Sequence, residues 1–139
     1  MVLDTHIDIP SQLVYNKESE KHIMLMDRMF VHTKVFDRKW DELGCDDDDL
    51  VELQKIISEN PQGHPVISGT GGIRKVRVAL QGRGKSGGAR VMYVDYVFHG
   101  IVGLLSAYPK SKKENITEAE KKVLKSISKQ IGKNWRNEE

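Results

Sequence analysis

From Phe30 the run FVHTKVF alternates apolar and polar residues, the period of a half-buried strand. The pattern then changes period. In Asp46–Glu59, DDDDLVELQKIISE, the apolar residues Leu50, Leu53, Ile56 and Ile57 recur at helical spacing. The leading aspartates stand at the end where a helix dipole favours negative charge. Asn60-Pro61 stops that helix, and Gly63 and Pro65 make a turn. Ile73–Leu80 alternates again, with Ile73, Lys75, Arg77 and Ala79 on one side and Arg74, Val76, Val78 and Leu80 on the other. A glycine-rich hairpin loop, Gln81–Gly88, follows. Arg90–Val97 and Ile101–Tyr108 form a second strand pair turning at His99-Gly100. A loop with Lys110, Lys112 and Lys113 leads to a last helix from Thr117, opened by a Thr117/Glu120 capping box, with Val123, Leu124, Ile127, Ile131 and Trp135 along one side. Runs of strands with segregated helices predict an α+β domain built on an antiparallel sheet.

Residues 1–28 show no sustained period and carry a polar centre, Asn16–Lys21, so they read as an N-terminal extension to a domain at 29–139. Met26 and Met29 are candidate alternative starts. At 139 residues the chain has room for one modest core. Its 38% hydrophobic and 30% charged content are those of a folded soluble domain. Cys45 is the only cysteine, which excludes an intrachain disulfide and a thiolate zinc cluster and fits a reducing cytosol. No run reaches the length of a membrane span and no signal-peptide h-region is seen, so a cytoplasmic protein without membrane contact is expected. Asp46–Asp49 read as a cap and a solvated helix end, because successive helical acids do not converge on one ion; no metal and no other cofactor is expected.

Net charge is only +2, yet its distribution is uneven. Gly69–Arg90, GTGGIRKVRVALQGRGKSGGAR, holds Arg74, Lys75, Arg77, Arg83, Lys85 and Arg90, and no Asp or Glu occurs from Asn60 to Val94. Cations gathered between glycine turns suit a polyanion, nucleic acid first. Within this segment ALQGRGKS fits a loose phosphate-loop pattern. A true phosphate loop runs from a strand into a helix, whereas here Gly87 and Gly88 precede the strand-forming RVMYVDYVF, and the nucleotide-hydrolysing reading is rejected. Residues two apart on a strand point the same way, roughly 6.5–7 Å along it. Lys75 and Arg77 therefore share a face, and Arg90 joins them if its strand is the antiparallel neighbour. Three cations around one phosphate would stabilise the added charge of a pentacoordinate transition state. Crowding of like charges favours a neutral amine, the form in which Lys75 could take a proton. None of the five histidines lies in the segment, so a histidine-pair ribonuclease lacks support. Composition leaves binding and cleavage both open.

The motifs FDRKWDELG, GTGGIRKVR, GRGKSGGARVMY, LLSAYPK and the terminal NWRNEE resemble the HigB branch of the RelE superfamily, toxins of type II toxin–antitoxin systems. The resemblance runs from about Phe30 to Glu139. It implies a RelE-like α+β fold, with a small antiparallel-rich sheet carrying helices on one side and a C-terminal helix. It also implies metal-independent, ribosome-dependent cleavage of mRNA in the A site, where the 2′-hydroxyl attacks the adjacent phosphate. By motif position Lys75, Arg77, Arg90 and Lys110 would be the catalytic cations. Arg74, Arg83, Lys85, Lys112 and Lys113 would hold RNA backbone, and Tyr108 would stack on the cleaved base, with Tyr93 and Trp135 as less favoured aromatics. The implied partners are mRNA, the ribosome and a cognate helix-turn-helix antitoxin, through whose complex alone operator DNA would be bound. A non-catalytic RNA- or ribosome-binding protein using the same patch is the alternative. A gyrase-poisoning relative is disfavoured, because such relatives lack the full cation set.

Overall fold

In a computed structural model, the structure describes residues 28–80, 88–110 and 116–137. The first strand, β1, is short, Met29–His32, and gives way to helix α1, Lys34–Glu42. The expected strand FVHTKVF is thus only half strand. Thr33 is the reason: its hydroxyl oxygen accepts the amide N–H of Phe36 at 2.9 Å and donates to the carbonyl of Leu105 at 2.9 Å. It caps a helix while tying that helix to the sheet. Phe36 and Trp40, four residues apart, then bury one side of α1.

Helix α2, Asp47–Glu59, has Asp46 as its N-cap. Asp46 and Asp49 each accept the other's amide N–H at 2.9 Å, a reciprocal box. The bond from the Asp49 amide is the main cause that holds the Asp46 carboxyl below its ordinary pKa. These two acids of the Asp46–Asp49 run are engaged in capping, as the sequence predicts.

Strands β2 (Arg74–Ala79), β3 (Gly88–Tyr96) and β4 (Ile101–Pro109) follow, and helix α3, Glu118–Asn137, closes the chain. The sheet order is β1-β4-β3-β2. β2–β3 and β3–β4 are antiparallel, as expected, but β1 lies parallel to β4. The sheet is therefore mixed: two helices and two strands intervene between β1 and β4, a connection long enough for a parallel pair. At α3 the Thr117/Glu120 box forms as predicted.

Each sheet face has its own core. On the first, Phe36 and Trp40 of α1 and Leu53 and Ile57 of α2 pack on Val76, Val78, Val91, Tyr93 and Leu104. On the second, Leu124 and Ile131 of α3 pack with Met92, Val94, Ile101, Leu105 and Tyr108. The N-terminal helices and the C-terminal helix thus lie on opposite faces. Val123, expected in the α3 core stripe, is 58% exposed; the Trp135 side chain is outside the described residues. Among the described residues no helix is long and apolar enough to cross a membrane.

Candidate nucleic-acid interface

The register decides which cations meet. Arg77 stands directly opposite Arg90, and Arg90 opposite Tyr108, so one row crosses β2, β3 and β4. The next row is Lys75, Met92 and Ser106. On the other side of the arginines, Ala79 pairs with Gly88, whose carbonyl accepts the Lys110 amide at 2.9 Å. Lys75, Arg77 and Arg90 project from the α3 side of the sheet, in rows shared with Met92 and Tyr108 of the core on that face, and Lys110 Cδ lies 3.4 Å from where a Gly88 Cβ would stand on the same side. The four expected catalytic cations come from three separate segments and gather on one face.

A bulge makes this possible. Met92 pairs with Ser106 but Tyr93 with Leu104, so Leu105 is an extra residue in β4. Side-chain parity reverses there. Leu104 and Ala107 face the α1–α2 core, while Leu105 and Tyr108 face the α3 side. With unbroken alternation from Leu104, Tyr108 and Lys110 would project from the face opposite Arg90. The bulge carbonyl, that of Leu105, is the one bonded by Thr33. Gly88 supplies the space: a Cβ there would come within 3.1 Å of the Val78 carbonyl oxygen and 3.4 Å of Lys110 Cδ.

The opening of β2 is set by GTGG. Gly69, Gly71 and Gly72 have φ of 79°, 76° and 119°, values that only glycine adopts without strain. Between them the Thr70 hydroxyl donates to the Ile67 carbonyl at 2.6 Å and accepts the Ile73 amide at 3.1 Å. The Lys75 amide donates to the Pro65 carbonyl at 3.0 Å, so this loop also covers the outer edge of β2.

Exposure differs along the row. Arg77 is exposed, Lys75 half-buried, and Arg90 only 5% exposed. Directly opposed like charges destabilise a sheet. Arg77 facing Arg90 is an arrangement that a bound anion would favour. Paired strand positions hold Cβ atoms about 4.5–5.5 Å apart, close enough for both guanidinium groups to converge on one phosphate.

Several expected contacts separate from this group. Arg74 lies on the opposite face, where its guanidinium donates to the His64 carbonyl at 2.7 Å. It is a brace for the α2–β2 loop and does not point toward the other cations, because its neighbours in β2 alternate. Tyr108 is in the row but 7% exposed, with Lys39 Nζ 5.0 Å from its ring centroid. A base could stack on it only by displacing that lid. Tyr93 is fully buried on the α1–α2 face and its hydroxyl donates to the Pro61 carbonyl at 2.7 Å. Burial pushes its phenol up to about 12. Arg83, Lys85, Lys112 and Lys113 lie outside the described residues. Lys39 was missed by sequence reasoning because α1 itself was; reading Thr33 as an N-cap would have revealed both.

A family model described as the RelE toxin of the RelE/RelB toxin–antitoxin system matches residues 27–138. The chain belongs to the RelE toxin family.

Proposed function

Starting from that membership, we propose that the protein is a HigB-type toxin that cleaves mRNA in the ribosomal A site and so blocks translation. The observation that carries this reading is the Arg77–Arg90 pair, flanked on the same face by Lys75 and Lys110. The RNA 2′-oxygen attacks the adjacent phosphorus, Lys75 takes the hydroxyl proton, and the bond from phosphorus to the 5′-oxygen breaks. Lys110 protonates the departing oxygen, and Arg77 and Arg90 stabilise the charge gathered on the phosphoryl oxygens. The products are a 2′,3′-cyclic phosphate and a 5′-hydroxyl. Arg83, Lys85, Lys112 and Lys113 hold the RNA backbone on this reading, and residues 29–139 form the toxin domain. Family membership implies an antitoxin partner. We take that partner to be a helix-turn-helix protein that confers operator binding on the complex, and the site of action to be the cytoplasm.

Induction of the protein alone is expected to arrest growth and leave codon-phased mRNA cuts. Arg90→Ala should lower single-turnover cleavage on programmed ribosomes about 10²–10³-fold. Arrest with intact mRNA would overturn the nuclease reading. It would favour the non-catalytic RNA-binding alternative, which the covered ring of Tyr108 supports.

A further inference from the structure

Charge divides the molecule. Residues 28–59, which carry α1 and α2, have 5 basic and 9 acidic residues, whereas residues 60–139 have 15 basic and 6 acidic. The cations described above account for only part of this surplus. Helix α3 carries Lys121, Lys122, Lys125, Lys129 and Lys133, and no acidic residue lies between Glu120 and Glu138. Lys121 is paired with Glu118 at 3.3 Å in the first turn. Lys125, Lys129 and Lys133 are spaced four residues apart, which puts one ammonium stem about every 6 Å along one side of the helix. Lys125 passes beside the GTGG turn, its Cε 3.8 Å from where a Gly71 Cβ would stand. Lys129 and Lys133 are exposed and line a groove of about 700 Å³ shared with Val97, Phe98 and His99.

Phe98 is 98% exposed. It sits on a single turn of 3-10 helix, Val97–His99, that joins β3 to β4. That turn is firmly anchored. Tyr96, just before it, fits between Gly103 and Gly132, with ring atoms 3.1 Å and 3.4 Å from where their Cβ atoms would be. Its hydroxyl donates to the Ser128 carbonyl at 2.7 Å. One half-buried tyrosine, Tyr96, therefore ties the turn that carries the exposed phenyl ring to α3. A lone exposed apolar residue is ordinary in itself; what marks Phe98 is that Tyr96 fixes its turn beside the lysines of α3. The apolar area is small, Phe98 with the half-exposed Val97, and Lys129 and Lys133 line the groove beside it, where the one carboxylate, Asp95, is paired with Arg28 at 2.7 Å. A protein-docking surface would present a wider apolar centre. An aromatic ring beside a row of cations is the make-up of a platform for an unstacked base.

We propose that Phe98 with Lys125, Lys129 and Lys133 forms a second RNA-contact surface, on which one unpaired base stacks while the lysines hold the flanking phosphates. It lies at the far end of β3 from Arg90, six strand steps or about 20 Å away. The two surfaces thus engage different stretches of RNA at once, and their joint occupancy raises the affinity beyond that of either. The inference rests on the reading of the protein as one that acts on RNA, and it assigns the α3 side to ribosomal or looped RNA rather than to the cleaved strand.

The test uses the full chain as wild type, as Phe98→Ala, and as the triple variant Lys125→Gln/Lys129→Gln/Lys133→Gln. All three substituted lysines and Phe98 are removed from the Arg90 row, and thermal melts verify that each variant folds. Ribosome co-sedimentation is measured across a salt series, alongside mRNA cleavage. The triple variant should bind at least about tenfold more weakly, with a salt slope shallower by about 2, the value for three lost phosphate contacts at 0.7 each. Phe98→Ala should weaken binding about tenfold and leave the slope unchanged. Wild-type affinity and slope in both variants, or a loss confined to antitoxin binding, would overturn the second surface. If the wild type binds ribosomes in this way yet cuts no mRNA, the nuclease reading fails and the second surface stands. If the wild type cuts and both variants bind as it does, the nuclease reading stands and the second surface falls.

Discussion

The two faces of one sheet are built to different ends. On the α1–α2 face every strand offers apolar side chains, and Phe36, Leu53 and Ile57 close over them with no exposed surface left. The α3 face is mixed: Met92 and Tyr108 join the core beneath α3, while the same rows present Lys75, Arg77 and Arg90. Strand alternation makes this division possible, since neighbouring residues in β2 serve opposite faces. One face is packed for stability. The other carries an opposed arginine pair, Arg77 and Arg90, with Lys75 on the same side.

Breaking the packed face should have the largest effect. Phe36 stacks on Trp40 with ring centroids 5.3 Å apart and meets His32 edge-on at 5.6 Å. Phe36→Ala should lose about 3–5 kcal/mol in urea denaturation. A loss under 1 kcal/mol would show that α1 is not needed to hold this core.

Burial acts on a tyrosine of each core, Tyr93 on the first face and the half-buried Tyr96 on the second, where Tyr108 is buried as well. Burial raises both Tyr93 and Tyr96 to about 12, against about 10 for an exposed phenol. Because the folded state keeps these protons longer than the unfolded chain, their contribution is complete below pH 10. It is lost as pH rises from about 10 to about 12. Tyr96→Phe should remove the bond to Ser128 and cost about 1 kcal/mol at neutral pH. It should also flatten part of the alkaline loss seen in melts between about pH 10 and about 12. An unchanged alkaline profile would show that Tyr96 ionises as freely in the folded protein as in the unfolded chain.

The smallest effect has an opposite sign. Arg77→Gln should raise stability by about 0.2–1 kcal/mol, since it relieves the repulsion with Arg90, while cleavage on ribosomes falls. If the substitution destabilises the fold, the arginine pair belongs to the packing after all, and the contrast between the faces weakens.

Much of the fold was legible in the chain. Helix α2, the three antiparallel strands and the box opening α3 all follow from local patterns, since caps and alternation are set within a few residues. The alternation of β2 also placed Lys75 and Arg77 on one side before any partner was known. What escaped was α1, hidden because FVHTKVF alternates across the point where Thr33 turns strand into helix. Alternation had already set Arg74 on the side opposite Lys75; its bond to the His64 carbonyl, in place of an RNA contact, came only from the fold. The likeness to toxin motifs found the family, but not the lid that Lys39 makes over Tyr108.

By itself, the sequence determined the helical and extended segments, the glycine turns and the acid-free cationic window, because each depends on neighbours in the chain. Tertiary structure decided which cations meet. The register sets Arg77 against Arg90, and the extra residue at Leu105 turns Tyr108 and Lys110 onto their face. No local pattern encodes that bulge, because it is a mismatch in count between two strands and exists only once they pair.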